Sequence, residues 1–418
     1  MKAFRPAKIL LPDFKKINGT KWSVVACDQY TSEPEYWKRA NSIVGDSPST
    51  LRITLPEVYL DETEKRLPLI NAEMEKYLRE VLVCERECFI YLERTQADGR
   101  VRRGIVGMVD LDEYDFNPAS SSFIRASEGT VLSRIPPRVK IRKDAPVELP
   151  HVLMLIDDPE KTVIEPLDAL KTQMDRAYDF DLMLDGGHVC GYYVNKNEES
   201  RICDALDKLV TADSMKKRYG GDYAPLLFAV GDGNHSLATA KTCYEQLKEE
   251  IGAEEAAKSP AKYALVEMEN LHDDTLEFEP IYRVVFGVSP ENLIGELQNY
   301  ASSLQGAEEA QSVVAVFGDE EKEIKFQNPT AQLTVGTLQT FLDEYIKEHS
   351  GAEVDYIHGE DSLRKLASKE NSVGFLFEGM KKEQFFKTVI CDGTLPRKTF
   401  SMGHANDKRY YLECRKIK

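Results

Sequence analysis

The chain has 418 residues, a formal net charge of −17 and an ordinary globular composition, with 42% hydrophobic and 30% charged residues. This length allows two or three domains with substantial cores. The acidic charge argues against nucleic-acid partners and against docking on anionic membranes, because both kinds of binding need a positively charged surface.

The N-terminus and the cysteines indicate the compartment. Charge and proline interrupt the first residues before a secretory apolar core forms, and no apolar run reaches membrane-spanning length. The eight cysteines are scattered and form no C-x-x-C pair, which is typical of reduced thiols. We therefore expect a cytoplasmic protein without a membrane partner. The sequence leaves its oligomeric state open.

Residues 1–150 are predicted to form an N-terminal mixed α/β region. The apolar run at 22–27 predicts an early strand, and the helical spacing over 60–83 predicts a helix. Two further strands are expected at 88–92 and 101–109. An Ala-Asp-Gly connection joins them, which is typical of a hairpin.

The second predicted region, residues 151–290, begins with a strand pair around the turn at Gly186 and Gly187. After two helical segments, a buried strand at 226–230 runs into a glycine loop and an amphipathic helix. The apolar residues of this helix step by three and four: Leu237, Ala240, Tyr244, Leu247 and Ile251. A surface loop is expected at 253–260 and another strand at 263–267.

The third predicted region, residues 291–418, alternates strands with helices and ends in a basic tail. Strands are expected at 313–317 and 373–377, and helices near 337–348 and 381–390. Taken together, the elements predict an α+β fold class, with mixed α/β regions along the chain.

The loop after the strand at 226–230 is the most informative segment, and it consists of Gly231, Asp232, Gly233, Asn234, His235 and Ser236. Such a loop points backbone N–H groups at one position, where the helix dipole adds positive charge and favours phosphate. Asp232 and His235 flank that position and are the candidate catalytic pair. No G-K-[ST] follows, which excludes a Walker A loop, and the glycine pattern fits a dinucleotide fingerprint poorly. A tight turn, in which Asp232 satisfies backbone groups and His235 caps the helix, would use the same residues.

Two basic stretches stand out from the acidic background. In the first, residues 123–143, Glu128 is the one acid; nearby cations would keep it ionised as a base for a hydroxyl group, with Thr130 and Arg138 beside it. In the second, residues 394–418, Arg397, Lys398 and Thr399 offer donors suited to phosphate. Ion pairs with the acidic excess, or plain solvated loops, are the alternatives for both stretches.

These segments, with Asp28-Gln-Tyr30 and the residues 276–283, resemble the family catalogued as domain of unknown function 1015, within the ParB/sulfiredoxin-like superfamily. The resemblance covers nearly the whole chain. It implies a strand–loop–helix core, typically D-G-x-H-R, that binds nucleotide phosphates. Relatives in that superfamily include free serine kinases, sulfiredoxins and partition proteins.

The chain departs from that pattern in two places. Ser236 replaces the closing arginine of the motif, so Lys241, Arg138 or Lys398 would have to supply the phosphate clamp. Tyr282 stands where the family usually has a histidine before Arg283, which weakens the case for a second catalytic histidine. Asn234 lies near the place of the sulfiredoxin cysteine, which argues against that chemistry.

The favoured hypothesis is a nucleotide-dependent phosphotransferase acting on a small hydroxyl metabolite such as serine, with ATP or ADP as the nucleotide. Asp232 would hold Mg²⁺ or orient the acceptor, and His235 would stabilise the transferring phosphoryl group. Glu128 would act as base, while Arg138 and Lys398 would neutralise the developing charge. A phosphatase of a phosphorylated amino or hydroxy acid, and a non-catalytic nucleotide-binding or sensing module, are the alternatives.

Overall fold

The computed structural model describes residues 3–418, which fall into two compact units. Unit 1 comprises the chain up to Ala126, Thr130–Leu276 and His404–Lys418. Unit 2 comprises Ser127–Gly129 and Glu277–Gly403. The sequence predicts three consecutive regions, whereas each of these two units combines segments that are not consecutive. The three regions as domains stay a prediction. Within residues 3–418, no helix is both long and apolar enough to cross a bilayer.

Twenty strands lie in the described residues. In chain order they are β1 Phe4–Arg5, β2 Ala7–Leu11, β3 Cys84–Cys88, β4 Ile90–Thr95, β5 Val101–Asp110, β6 Tyr114–Asp115, β7 Ile124–Arg125, β8 Val147–Glu148, β9 Leu153–Ile156, β10 Arg176–Asp181, β11 His188–Tyr193, β12 Phe228–Asp232, β13 Tyr263–Asn270, β14 Phe278–Phe286, β15 Gln311–Phe317, β16 Glu320–Phe326, β17 Glu353–His358, β18 Ser372–Phe377, β19 Phe400–Met402 and β20 Arg415–Lys416.

Twelve α-helices lie in the same part of the chain, which also contains several 3₁₀ segments. They are α1 Gly19–Trp22, α2 Pro34–Val44, α3 Thr63–Glu80, α4 Ile135–Lys143, α5 Lys196–Leu209, α6 Ala212–Tyr219, α7 Asn234–Ile251, α8 Ala253–Ala256, α9 Pro290–Ser303, α10 Thr334–Glu348, α11 Glu360–Ala367 and α12 Lys382–Cys391. This mixture confirms the predicted α+β class.

Unit 1 is built on a ten-stranded mixed sheet of order β10-β11-β4-β5-β13-β9-β12-β7-β6, with β1 also paired to β5. The two predicted hairpins, β4–β5 and β10–β11, are antiparallel and confirmed. The strand β12 lies between β9 and β7, and its residues Phe228, Ala229 and Val230 are fully buried. The strand that precedes the glycine loop is therefore held in the interior of the sheet, which fixes where the loop begins.

The helix α7 follows the predicted amphipathic pattern. Leu237, Ala240 and Tyr244 are buried in the unit 1 core, whereas Ile251 at the end of the helix is exposed. Gly252 ends the helix with a φ of 86°, a left-handed value that glycine adopts without strain. The buried face of α7 therefore anchors the helix in the core close to the loop.

Unit 2 contains a six-stranded antiparallel sheet of order β16-β15-β18-β14-β17, with β19 also paired to β14. The predicted strands at 313–317 and 373–377 correspond to β15 and β18, and the predicted helices correspond to α10 and α12. Val284, Val316 and Leu363 lie in a small buried cluster of this unit.

One predicted element was wrong, and a second was right only in part. The expected strand at 22–27 is the end of α1, whose first turn is capped by Asn18, followed by buried extended chain with one isolated bridge, Val25 to Tyr410. The apolar run there reflects burial against other segments and forms no ladder. The expected surface loop at 253–260 is mostly exposed, as predicted, but it begins with the short helix α8, in which Ala256 is buried in the core.

A network of buried charges crosses unit 1. Glu267 and Glu269 lie on one face of β13, because strand side chains alternate, and both are fully buried. Arg102 Nε lies 2.8 Å from Glu269 Oε1, and Arg409 bonds Glu267 and Glu413. Charges this deep persist when cations and carboxylates are paired, since desolvation of an unpaired charge is costly.

We expect the buried Glu269 to make the stability of unit 1 fall as pH rises. Burial, opposed by Arg102 and reinforced by Glu267, raises the pKa of Glu269 from 4.5 to about 8. Between those values the folded chain keeps a proton that the unfolded chain has lost, so unfolding becomes easier as pH increases. Glu269→Gln should flatten this decline in urea titrations at pH 5.5 and pH 8, whereas the exposed Glu35→Gln should leave it unchanged. If the free energy of unfolding falls by the same amount between pH 5.5 and pH 8 in wild type and in Glu269→Gln, the raised pKa of Glu269 is not the cause of the decline.

Candidate functional site

The loop between β12 and α7 has the geometry of an anion site. Gly233 occupies the N-cap position with a φ of 82°, and a Cβ there would lie 3.0 Å from Val152 Cα. Only glycine fits this backbone without strain. Because the N-cap residue has no side chain, it cannot cap the first turn, and the positive end of an 18-residue helix faces the loop.

Asp232 lies at the end of β12 and is partly buried, with 23% of its side chain exposed. Its Oδ1 accepts from the Gly233 backbone N–H at 3.0 Å, and its Oδ2 lies 3.3 Å from Lys408 Nζ. The sequence left open a purely structural turn, in which Asp232 would satisfy backbone groups. Asp232 does accept a backbone hydrogen bond in this turn. The ion pair with Lys408 goes beyond what a turn requires.

His235 lies in the first turn of α7. Its Nε2 accepts from the backbone N–H of Val131 at 3.2 Å, so the ring holds the segment that carries Thr130. An imidazole nitrogen that accepts an N–H carries no proton, which assigns the proton of the neutral ring to Nδ1. Thr130 Oγ1 is buried without a protein partner in the described structure. Such a hydroxyl is expected to bond water or a ligand.

Ser236, the residue in place of the motif arginine, bonds a histidine. Its Oγ lies 2.7 Å from His151 Nε2, and His151 Nδ1 lies 3.1 Å from Tyr411 Oη. Asp28 Oδ2 is 3.9 Å from the same His151 Nε2. A polar chain of Tyr411, His151 and Ser236, with Asp28 beside it, therefore reaches the first turn of α7 from three distant parts of the sequence.

His151 and Ser236 also line a cavity of about 170 Å³ within unit 1, whose other walls are mostly apolar. Cys27 lies at this cavity, and burial raises the pKa of its thiol to about 12. The thiol therefore stays protonated at neutral pH and is a poor nucleophile.

Three of the six cations in the first basic stretch are paired with carboxylates. Arg138 pairs with Glu57, Lys140 with Glu64, and Arg142 with Glu148. Arg138 also lines the cavity. Lys241, another candidate clamp, donates to the Leu111 carbonyl at 2.8 Å and lies 2.7 Å from Glu245. The alternative for this stretch was that its cations form ion pairs with the acidic residues of the chain. These three pairs agree with that alternative.

In unit 2 the structure brings Glu128 to the segment that carries Arg397, Lys398 and Thr399. Glu128 forms a parallel bridge with Leu395, whose N–H donates to the Ser127 carbonyl at 2.7 Å. Two stretches that are far apart in sequence are therefore neighbours within this unit.

The buried Arg283 shapes that segment. Its guanidinium donates to the carbonyls of Arg397 and Lys398, each at 2.9 Å, and Lys398 adopts a left-handed φ of 52°. The side chains of Arg397 and Lys398 are exposed and lie over the Tyr356 ring, with their charges 5.4 and 5.6 Å from its centroid. Thr399 is buried, and its hydroxyl donates to the Pro396 carbonyl, so it is bound within its own turn.

The predicted site residues thus divide between the units. Unit 1 holds Thr130, Arg138 and the whole loop, and unit 2 holds Glu128 with Arg397, Lys398 and Thr399. Their common use in one reaction stays a prediction. Sequence reasoning missed His151 and Lys408. The basic tail was noted, and Lys408 belongs to it, but no local pattern distinguishes that lysine from its neighbours.

Among residues 3–418, no group of three or more His, Cys, Asp and Glu side chains is arranged to hold a metal ion. Mg²⁺ is often held by one or two carboxylates together with substrate phosphates, so a single carboxylate such as that of Asp232 is compatible with this ion. The eight cysteines form no disulfide.

Comparison with known proteins gives a family and distant structural likenesses. The model of the family described as "Protein of unknown function (DUF1015)" matches residues 5–345. No curated protein matches the chain.

Three solved structures illustrate the likenesses. A conserved hypothetical protein from Pyrococcus furiosus is 11% identical, covers 74% of this chain and 94% of its own, and has a TM-score of 0.35. A free serine kinase in complex with AMP is 13% identical over 74% and 90%, with a TM-score of 0.35. C-terminally truncated SbnI from Staphylococcus aureus is 13% identical over 73% and 82%, with a TM-score of 0.31. Placement in the ParB/sulfiredoxin-like superfamily stays a prediction. Since the family model spans most of the sequence, the chain belongs to the DUF1015 family.

Proposed function

We propose that unit 1 binds the phosphates of a nucleotide at the loop 231–236 and that the protein transfers a phosphoryl group to the hydroxyl of a small metabolite such as serine. The observation that carries this proposal is the glycine N-cap of α7 between a carboxylate and an imidazole. Helix N-termini of this kind bind phosphate through backbone N–H groups and the helix dipole.

The side chains around the loop have separate roles in this proposal. Asp232 would orient the acceptor or be the protein ligand of Mg²⁺, which would offset phosphate charge when bound. His235, whose Nε2 accepts from the backbone N–H of Val131, would stabilise the transferring phosphoryl group. The buried hydroxyl of Thr130, which has no protein partner in the described structure, would bond a phosphate oxygen.

The unit 2 cluster of Glu128, Arg397 and Lys398 is a second candidate for anion binding. Arg283 holds the backbone of the two cations, and their side chains face solvent over Tyr356. The roles that the sequence predicts for Glu128, as a base for a hydroxyl group, and for Lys398, in balancing charge, stay predictions. Charge-removing variants of these residues, assayed for turnover, test those roles separately from the loop.

We expect ATP or ADP to raise the melting temperature of the protein, and Mg²⁺ to increase the shift. A ligand at ~100 times its Kd stabilises the folded state by about 2.7 kcal/mol. A screen of ATP, ADP, AMP, pyrophosphate, serine and phosphoserine, with and without Mg²⁺, measures this effect. A nucleotide that binds is then incubated with serine, and phosphoserine formation is followed.

Three outcomes separate the alternatives. Phosphoserine formation that needs both nucleotide and serine supports the phosphotransferase. Release of inorganic phosphate from phosphoserine without nucleotide identifies a phosphatase instead, and nucleotide binding without product from any acceptor identifies a sensing module. No shift with any phosphate compound contradicts a phosphate site at the loop.

A further inference from the structure

The segment that carries Lys408 is held in place by two buried arginines. Arg94 donates to the carbonyls of Asn406 at 2.7 Å and of Lys408 at 3.3 Å, and Arg102 donates to the carbonyl of Asp407 at 2.7 Å. Both arginines are less than 5% exposed. Charged donors thus fix three successive backbone carbonyls, and such donors make stronger hydrogen bonds than neutral ones. The only regular structure in this segment is a short 3₁₀ turn.

The residues that follow and support the segment are equally fixed. Arg409 donates to the Pro150 carbonyl at 3.1 Å and pairs with the buried Glu267. Arg94 also donates to the Gly186 carbonyl at 2.8 Å, which ties it to the β10–β11 hairpin. The backbone at 406–409 is therefore positioned by the interior of unit 1 and does not depend on the Lys408 side chain.

The Lys408 side chain leaves this support towards the loop. It is 13% exposed, and its Nζ lies 3.3 Å from Asp232 Oδ2. Asp232 directly precedes the N-cap of α7. Its negative charge would repel an incoming phosphate, whereas a fixed ammonium beside it offsets that repulsion and offers three donors.

We propose that Lys408 binds the terminal phosphate of the nucleotide at the loop 231–236, in the role that the motif arginine would have at position 236. This inference rests on the proposed function and names a residue that completes its site. Ser236 cannot take that role, since it is a short neutral side chain bonded to His151. Lys408 lies beyond residues 5–345, so the part of the chain that matches the family model does not contain this cation.

Calorimetric titration with pyrophosphate and with AMP tests the proposal. Lys408→Met keeps the length of the side chain and removes its charge. We expect it to weaken pyrophosphate binding about tenfold or more, the effect of losing one charged hydrogen bond, and to weaken AMP less. Lys408→Arg should retain most of the affinity. The control is Lys416→Met, an exposed lysine of the same C-terminal segment, which should bind like wild type.

A second pair of variants separates contact with the ligand from neutralisation of Asp232. In the Asp232→Asn background, Lys408→Met should still weaken pyrophosphate binding if the ammonium contacts phosphate. If the effect disappears in that background, Lys408 only balances Asp232 and the proposal is overturned. Unchanged binding by Lys408→Met in wild type overturns it as well. If Lys408→Met does not fold, Lys408→Gln gives the same comparison.

Failure of the proposed function looks different. In that case wild type itself binds neither pyrophosphate nor nucleotide, and the inference about Lys408 falls with it. Wild type that binds both, with a Lys408→Met variant that binds equally well, overturns the inference alone.

Discussion

Asp232→Ala is expected to lower kcat/KM for phosphoryl transfer by at least ~10²–10³-fold, the loss that follows removal of one preorganised electrostatic group from an active site. The carboxylate directly precedes the N-cap of α7, where the proposed function has it orient the acceptor or hold the metal. Stability should change little. The ion pair with Lys408 is partly exposed, and pairs of this kind contribute about 0–1 kcal/mol. Turnover and melting temperature, measured on the same preparations, check both halves of the prediction.

Asp112 provides the matched control. It is also a partly exposed aspartate of unit 1 with lysine partners, 2.6 Å from Lys248 and 3.3 Å from Lys262, but it has no part in the proposed site. Asp112→Ala should therefore leave turnover near wild type. If Asp232→Ala unfolds or loses most of its thermal stability, the carboxylate is chiefly a structural part of the turn. If it folds and keeps full activity, the catalytic assignment is wrong.

The parts of this site that could be predicted are those encoded locally. A buried strand, a glycine-containing loop and a helix with regular apolar spacing lie within about two dozen residues, so their order alone predicts a strand–loop–helix. The structure confirms β12 and α7, and it shows in addition that Gly233 is the N-cap of the helix. Charge patterning was less reliable. The stretch around Arg138 looked like a phosphate clamp, but Arg138 is paired with Glu57, which lies 81 positions away in sequence.

The parts that could not be predicted depend on contacts between distant segments. Lys408 reaches Asp232 only because Arg94 and Arg102, on two neighbouring strands, hold the C-terminal carbonyls. His151 reaches Ser236 across 85 residues. Propensity and apolar periodicity predict helices, strands and their buried faces. They carry no information on which buried segments contact each other. The predicted strand at 22–27 failed for the same reason, because burial alone does not distinguish a ladder from packed extended chain.

The buried charge network that supports Lys408 leads to the second large prediction. Arg409→Met should destabilise unit 1 by about 3–5 kcal/mol, because it leaves Glu267 and Glu413 buried without their shared cation. Arg409 is 2% exposed and both carboxylates are fully buried. Arg409→Lys should also be destabilising, since an ammonium cannot replace the guanidinium fork that bonds both carboxylates.

Tryptophan fluorescence during urea unfolding measures this effect within one unit. The chain has two tryptophans, Trp22 and Trp37, and both are buried in unit 1, so their signal follows that unit alone. Arg86→Met is the matched control. Arg86 pairs with Asp175 at 3.0 Å on the surface of the same unit, and its loss should cost at most about 1 kcal/mol. Equal unfolding midpoints for Arg409→Met and Arg86→Met would mean that the network contributes no more than a surface pair. In that case Arg409 could not be one of the groups that fix the segment carrying Lys408.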